Sequence, residues 1–111
     1  MDINDWTSLT ACAQILLESK AVSVDVEGNL RKGGTIEMVQ INNGHNTFLL
    51  NFYSLYTNKD VKTLELAKKI LRNVFANEKI LKVFHDCRHD SLVIHEVLST
   101  CIVNVFDTSA V

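Results

Sequence analysis

No apolar run in this 111-residue chain approaches the ~20 residues needed to cross a bilayer, which excludes a helical membrane span. The opening stretch, MDINDWTSL, is acidic and polar, and reads as neither a secretory signal nor an Arg-rich transit peptide. Cysteine is scarce. Cys12, Cys87 and Cys101 are odd in number and widely spaced, and no CxxC is present, so neither a disulfide framework nor a zinc site is indicated. Three partly buried thiols in a reducing compartment are expected, and hence an intracellular protein, cytoplasmic or nuclear. Proline is absent, and nothing about the fold follows from that. Positive charge is short: 11 Lys and Arg face 13 Asp and Glu, for a net charge of −2. A module that coats long nucleic acid through many phosphates needs the opposite balance. An enzyme that holds a few nucleotides at a strand end, with metal ions supplying positive charge, does not.

What is present suffices for one domain and one core. Apolar residues make up 47% and charged residues 22%, ordinary for a soluble globular chain. There is no repeat, low-complexity stretch or linker. Residues 7–20 read as a helix on the spacing of Leu9, Cys12, Ala13 and Leu16, with Thr7 or Ser8 as its cap. The period then drops to two. Over residues 21–27, Val22, Val24 and Val26 point one way and Ser23, Asp25 and Glu27 the other, as in a strand. Strands are also expected at 35–41 and 47–52, joined by a turn at Asn43-Gly44. Residues 60–75 predict an amphipathic helix with Leu64, Ala67, Leu71 and Val74 or Phe75 inward. A buried strand at 80–84, a helix at 88–98 begun by Asp86 or Cys87, and a strand at 102–106 follow. Asp107-Thr108 is a helix N-cap signal at the end. This order implies an α/β fold whose sheet is antiparallel over its first three strands and parallel thereafter, with flanking helices. Sites in such sheets lie at the carboxyl ends of the strands.

The sharpest local feature is Asp25-Val26-Glu27-Gly28. Residues two apart on a strand share a face, roughly 6.5–7 Å apart. Two carboxylates there repel, and a hard divalent cation removes that cost. A two-ion arrangement stabilises both the attacking and the leaving oxygen of a phosphodiester displacement. The alternative is an exposed strand with a polar face. A second cluster, FHDCRHD at 84–90, follows a buried strand and opens a helix.

Together, SVDVEG (23–28) with IEMVQI (36–41), KVFHDCRHD (82–90) and NVFDT (104–108) resemble, in order and spacing, the DEDD or RNase D-like 3′–5′ exonuclease superfamily. The wording HDCRHDS (85–91) is most similar to the exonuclease 3′–5′ domain-containing and Egalitarian-like proteins. The resemblance implies an RNase H-like mixed sheet. It also implies two Mg²⁺ or Mn²⁺ ions held by Asp25, Glu27 and Asp90. Asp25 would bridge both ions, Glu27 would hold the first and orient the attacking water, and Asp90 would support the second through water. The implied substrate is the 3′ end of a single strand, RNA in preference to DNA, and the product a nucleoside 5′-monophosphate. No membrane is implied. Some relatives serve as RNA adaptors, so a catalytically silent RNA-binding module on the same fold is the rival reading.

The family also uses a fourth acid, preceded at fixed spacing by a Tyr or His that activates the water, on a helix well past the last strand. No such pair follows Asp107. The expectation is therefore a single exonuclease-like domain over 1–111, incomplete at its C-terminus, with its final helices missing. A second copy or a protein partner would then cover the exposed sheet. Met38 is a candidate for base contact or a packed residue. His85 and His89 read first as a strand-end and a helix-surface histidine, with phosphate or metal contact as the alternative, and Arg88 reads equally as a phosphate contact or as a solvated or salt-bridged side chain. Asp86 and Asp107 read as caps. Arg31 and Lys32 either grip substrate or form a solvated pair, and Lys68, Lys69 and Arg72 form a solvated face.

Overall fold

The computed structural model describes residues 2–3, 5–29, 34–85 and 87–110, with the side chains of residues 2, 3, 6, 87–89 and 110 outside that description. Arg31, Lys32 and Asp86 lie outside the described residues, as do the side chains of Arg88 and His89. In chain order the elements are β1 (Asp2–Ile3), α1 (Trp6–Leu17), β2 (Ala21–Gly28), β3 (Ile36–Asn42), β4 (Thr47–Asn51), α2 (Phe52–Thr57), α3 (Val61–Ala76), β5 (Leu81–Phe84), α4 (Cys87–Leu98) and β6 (Val105–Asp107). A short 3-10 turn, Thr108–Ala110, follows. The strands form one sheet in the order β1-β4-β3-β2-β5-β6. β2, β3 and β4 pair antiparallel, while β5 joins β2 and β6 joins β5 in parallel. The expected mixed sheet with flanking helices is therefore present. No helix among the described residues is long and apolar enough to cross a membrane.

β2 lies inside the sheet, and its alternation sorts the molecule into two sides. Val22, Val24 and Val26 are buried, and they join Val39 and Ile41 of β3 and Phe84 of β5 in one core. Leu9, Cys12 and Leu16 of α1, six residues of α3, and Val93, Ile94 and Leu98 of α4 close that core. The helices pack on one another in series: α1 and α2 against α3, and α3 against α4. On the other side of β2, Ser23, Asp25 and Glu27 are exposed.

Several boundaries differ from the sequence reading, each for a local reason. Asp5, rather than Thr7 or Ser8, caps α1: its Oδ1 accepts from Ser8 N and Ser8 Oγ, both at 2.8 Å. The Asn-Gly signal builds a loop of four residues rather than a two-residue turn. Gly44 takes φ +94°, and the Asn43 side chain accepts from the amides of His45 and Asn46. β4 ends at Asn51 because Asn51 caps a helix absent from the sequence reading. Its Oδ1 accepts from Ser54 N at 2.9 Å, and α2 then buries Phe52 and Leu55. Asp60 caps α3 rather than belonging to it. The last strand begins at Val105 rather than 102. Ile102 packs on the core, the Val103 amide donates to the Phe75 carbonyl at 3.0 Å, and Asn104 takes φ +55°, which breaks the extended backbone. β1 was not anticipated, being only two residues long. Of the cysteines, Cys12 is buried, its thiol pushed up to about 11, whereas Cys101 is exposed rather than partly buried.

Lys82 is the one lysine inside the core among the described residues, at 0% exposure beside Val22. Its ammonium donates to the Asn77 carbonyl at the C-cap of α3, at 2.6 Å. Burial pushes its pKa below the ordinary lysine value. The unfolded chain therefore keeps this proton over a range where the folded chain has released it. Stability drawn from Lys82 rises with pH through that window and is complete above about 10.4. Urea unfolding from about pH 8 to about pH 10 should show the wild type gaining stability relative to Lys82→Met as pH rises. A gap independent of pH would contradict this.

Gly28 ends β2 at φ +149°, and a Cβ there would press on the Thr35 carbonyl oxygen and lie 2.9 Å from Glu37 N. Gly28→Ala should cost roughly 1–3 kcal/mol in denaturant unfolding. A loss near zero would show that the backbone relaxes there freely.

Candidate functional site

The acidic face of β2 continues onto both neighbouring strands. Asp25 pairs with Gln40 of β3, and Glu27 with Met38. Directly paired residues point to one side of a sheet, so Gln40 and Met38 share the acidic face. Met38 is half-buried there, beside Glu27, rather than in the core under the helices. Past Glu27 the register shifts: Met38 opposes Glu27, and Ile36 opposes Gly28. The extra residue, Glu37, makes a bulge that returns Ile36 to the core while Glu37 stays exposed. Glu27 therefore stands at a kink at the end of the strand.

On the other flank, β5 runs parallel to β2, with Ser23 beside Val83. Carrying that register two residues on sets His85 beside Asp25. The β5–β6 register, with Phe84 beside Asp107, carries likewise to His85 beside Thr108. The hydrogen bonding agrees: His85 Nδ1 lies 2.9 Å from Thr108 Oγ1. A row thus crosses four segments: Gln40, Asp25, His85, Thr108. These four, with Ser23 and Val83, line an open groove of about 220 Å³ at the strand ends. Its position agrees with the expectation for a parallel sheet.

Asp25 and Glu27 are exposed, and neither makes a hydrogen bond or ion pair among the described residues. In kind, these are the hard oxygen donors that a divalent cation takes. Asp90 sits in the first turn of α4 and is 7% exposed. It is not a free carboxylate, being engaged within the fold. Among the described residues, no three His, Cys, Asp or Glu side chains lie close enough together to hold an ion. The donor chemistry fits at Asp25 and Glu27 on β2, while Asp90 stands on a different element, the first turn of α4.

Asp107, read as a cap, accepts from Ser109 N at 2.9 Å and Ser109 Oγ at 2.7 Å, opening the 3-10 turn. The sequence reading did not single out Gln40 for the site or Thr108 as more than part of a cap signal. Strand register was the signal able to find both, since each lies in the row of Asp25, but register between distant strands is not visible in a linear pattern.

With this geometry in hand, comparison with known proteins is specific. The family model described as 3′-5′ exonuclease matches residues 2–111. Protein RRP6-like 3 of Arabidopsis thaliana is 30% identical over 105 residues, covering 93% of this chain and 11% of that protein. The catalytic core of RRP6 from Trypanosoma brucei superposes with a TM-score of 0.73 at 26% identity, over 96% of this chain and 28% of that one. RNase D of the same organism, solved in complex with RNA U12, superposes at 0.78 with 19% identity, over 96% and 36%. RNase D of Escherichia coli, an exoribonuclease, does so at 0.76 with 16% identity, over 97% and 27%. The RNase D likenesses concern the fold alone. The chain spans about a tenth of the length of the plant protein and about a third or less of these structures. The match along residues 2–111, over a mixed sheet that carries an acidic pair on its central strand, makes this chain a member of the 3′–5′ exonuclease family.

Proposed function

We propose that this domain takes part in removing nucleotides from the 3′ end of single-stranded RNA by metal-dependent hydrolysis. The observation that carries the reading is the pair Asp25 and Glu27: two exposed carboxylates on one face of β2 that make no hydrogen bond or ion pair among the described residues, beside a groove at the strand ends. Such a pair is costly in like-charge repulsion unless a cation is its purpose. Mg²⁺ or Mn²⁺ is the expected ion, as two ions held by Asp25 and Glu27, with Asp90 joining through water. When bound, the ions supply the positive charge that a phosphodiester requires and that the row Gln40, Asp25, His85 and Thr108 does not offer. The chain's own residues orient the strand end: Met38, half-buried beside Glu27, offers an apolar surface to a base, and His85 and Gln40 flank Asp25 with polar groups. RNA is preferred to DNA in this reading on the RNase D and RRP6 likenesses, one of them an RNA complex.

The test is degradation of a 5′-labelled single-stranded RNA with Mn²⁺ or Mg²⁺, using this chain, a version extended past Val111, and Asp25→Ala in each. A ladder shortening from the 3′ end, reduced by about 10³-fold or more in Asp25→Ala, is the expected result. RNA that is bound by both forms and shortened by neither would replace the nuclease with an adaptor on the same fold.

A further inference from the structure

α3 is basic in a chain that is acidic. It carries four of the 11 Lys and Arg and one of the 13 Asp and Glu, so its net charge is +3 where the whole chain has −2. Helix stability does not ask for this arrangement. Lys62 stands in the first turn, at the positive end of the helix dipole, and the last turn, where cations are favoured, holds none. The single acid, Glu65, is taken by Lys68 at 3.7 Å. Lys62, Lys69 and Arg72 make no hydrogen bond or ion pair among the described residues.

These three cations gather around an open hollow of about 500 Å³, together with Val61, Glu65 and Leu66. Val61 is 64% exposed and Leu66 is half-buried, so the hollow has an aliphatic surface between its charges. Lys62 and Lys69 are two helical turns apart, about 10.5 Å along the axis, and Arg72 lies about 4.5 Å further on. Carboxylates at the same spacing on a second helix fall on one face, and an aliphatic stripe beside them covers Val61 and Leu66. RNA is the poorer fit. No aromatic ring lines the hollow on which a base could stack. The hollow also lies on the helix side of the sheet. α3 packs on the core that holds Val22, Val24 and Val26, whereas Asp25 and Glu27 face the other way. The sheet therefore separates this face from a strand end in the groove.

We propose that the outer face of α3 is a docking surface for a protein partner that presents a short acidic helix with an aliphatic stripe. The carboxylates of that helix pair with Lys62, Lys69 and Arg72, and its aliphatic residues cover Val61 and Leu66. The partner sits across the sheet from the acidic pair of β2 and leaves the groove open. The inference does not depend on the exonuclease reading.

Selection on the full chain from a library of random peptides tests it, with peptides of about 15 residues, long enough to follow the roughly three turns from Val61 to Arg72. Peptides retained by the wild type and not by the double variant Lys62→Glu, Lys69→Glu should be rich in Asp and Glu, with Leu, Ile or Val three and four residues apart. A fluorescein-labelled peptide of that set should lose roughly 10-fold or more in affinity for the double variant, and less when both lysines become Gln. It should lose about 3-fold for Val61→Ser and weaken as salt rises. Asp25→Ala should bind it as the wild type does. Lys62, Lys69 and Val61 are exposed, so these variants keep the fold, which an unchanged urea midpoint checks. Retained peptides without an acidic bias overturn the proposal, as do acidic peptides that bind the double variant as tightly as the wild type. An oligouridylate that loses affinity in the double variant while no peptide does makes this face an RNA contact and overturns it too.

Discussion

β2 has neighbours on both edges and helices on one face, so none of its residues has a choice of side. Its three valines are committed to the helices, and the pleat then commits Ser23, Asp25 and Glu27 to the opposite side. A slip of one residue would bury two carboxylates and expose three valines. The cost of burying an unpaired charge far exceeds any other local preference. Register on both flanks follows from this: β3 must bring Val39 and Ile41 to the valine side, and β5 must bring Phe84. The groove is the other half of the same alternation.

Lys82 is the exception inside this arrangement. On β5 it occupies a position that faces Val22, where an aliphatic residue would be expected. Its stem packs as one, and its ammonium reaches the carbonyl that ends α3. The same stretch also holds Asn104, whose amide donates to the Glu78 carbonyl, and the Lys82 amide, which donates to Asn104 O. The turn from α3 into β5 is thus tied to the entry of β6 by polar contacts around one buried charge.

Most of the fold was readable in the chain because its signals are local. The alternation of 21–27, the stripe of α3 and the stripe of α1 each lie within one element; the valines were found as read, whereas α3 also buries Thr63 and Ile70, and Ala13 and Leu64 are only half-buried. The first motif was legible for the same reason: Asp25 and Glu27 are two residues apart on a strand whose period is plain. What escaped was what depends on partners. α2 is a six-residue helix that exists because Asn51 caps it and the core accepts Phe52 and Leu55, and its first residue, Phe52, reads as the end of a strand. The start of β6 was placed too early because Ile102 and Val103 look like strand residues until the carbonyl of Phe75 claims one of their amides. Thr108 looked like the opening of a helix, and only the pairing of β5 with β6 sets it beside His85. Asp90 lies on α4, whose placement against β2 no linear spacing encodes.

The sheet's connectivity has a consequence in time. The pairings of β2 with β3 and of β3 with β4 close through short loops, whereas β2 meets β5 only after α2 and α3 have been traversed. Closing the longer loop carries the larger entropic cost, so the hairpin strands come together first and the parallel pair later. Asp25 and Glu27 sit on the early half of the sheet, and His85 and Thr108 on the late half. A folding chain would carry its acidic pair, facing water, before the far wall of the groove exists. During that interval the half-built sheet would present the edge of β2, which β5 later covers, as an unpaired template for another strand.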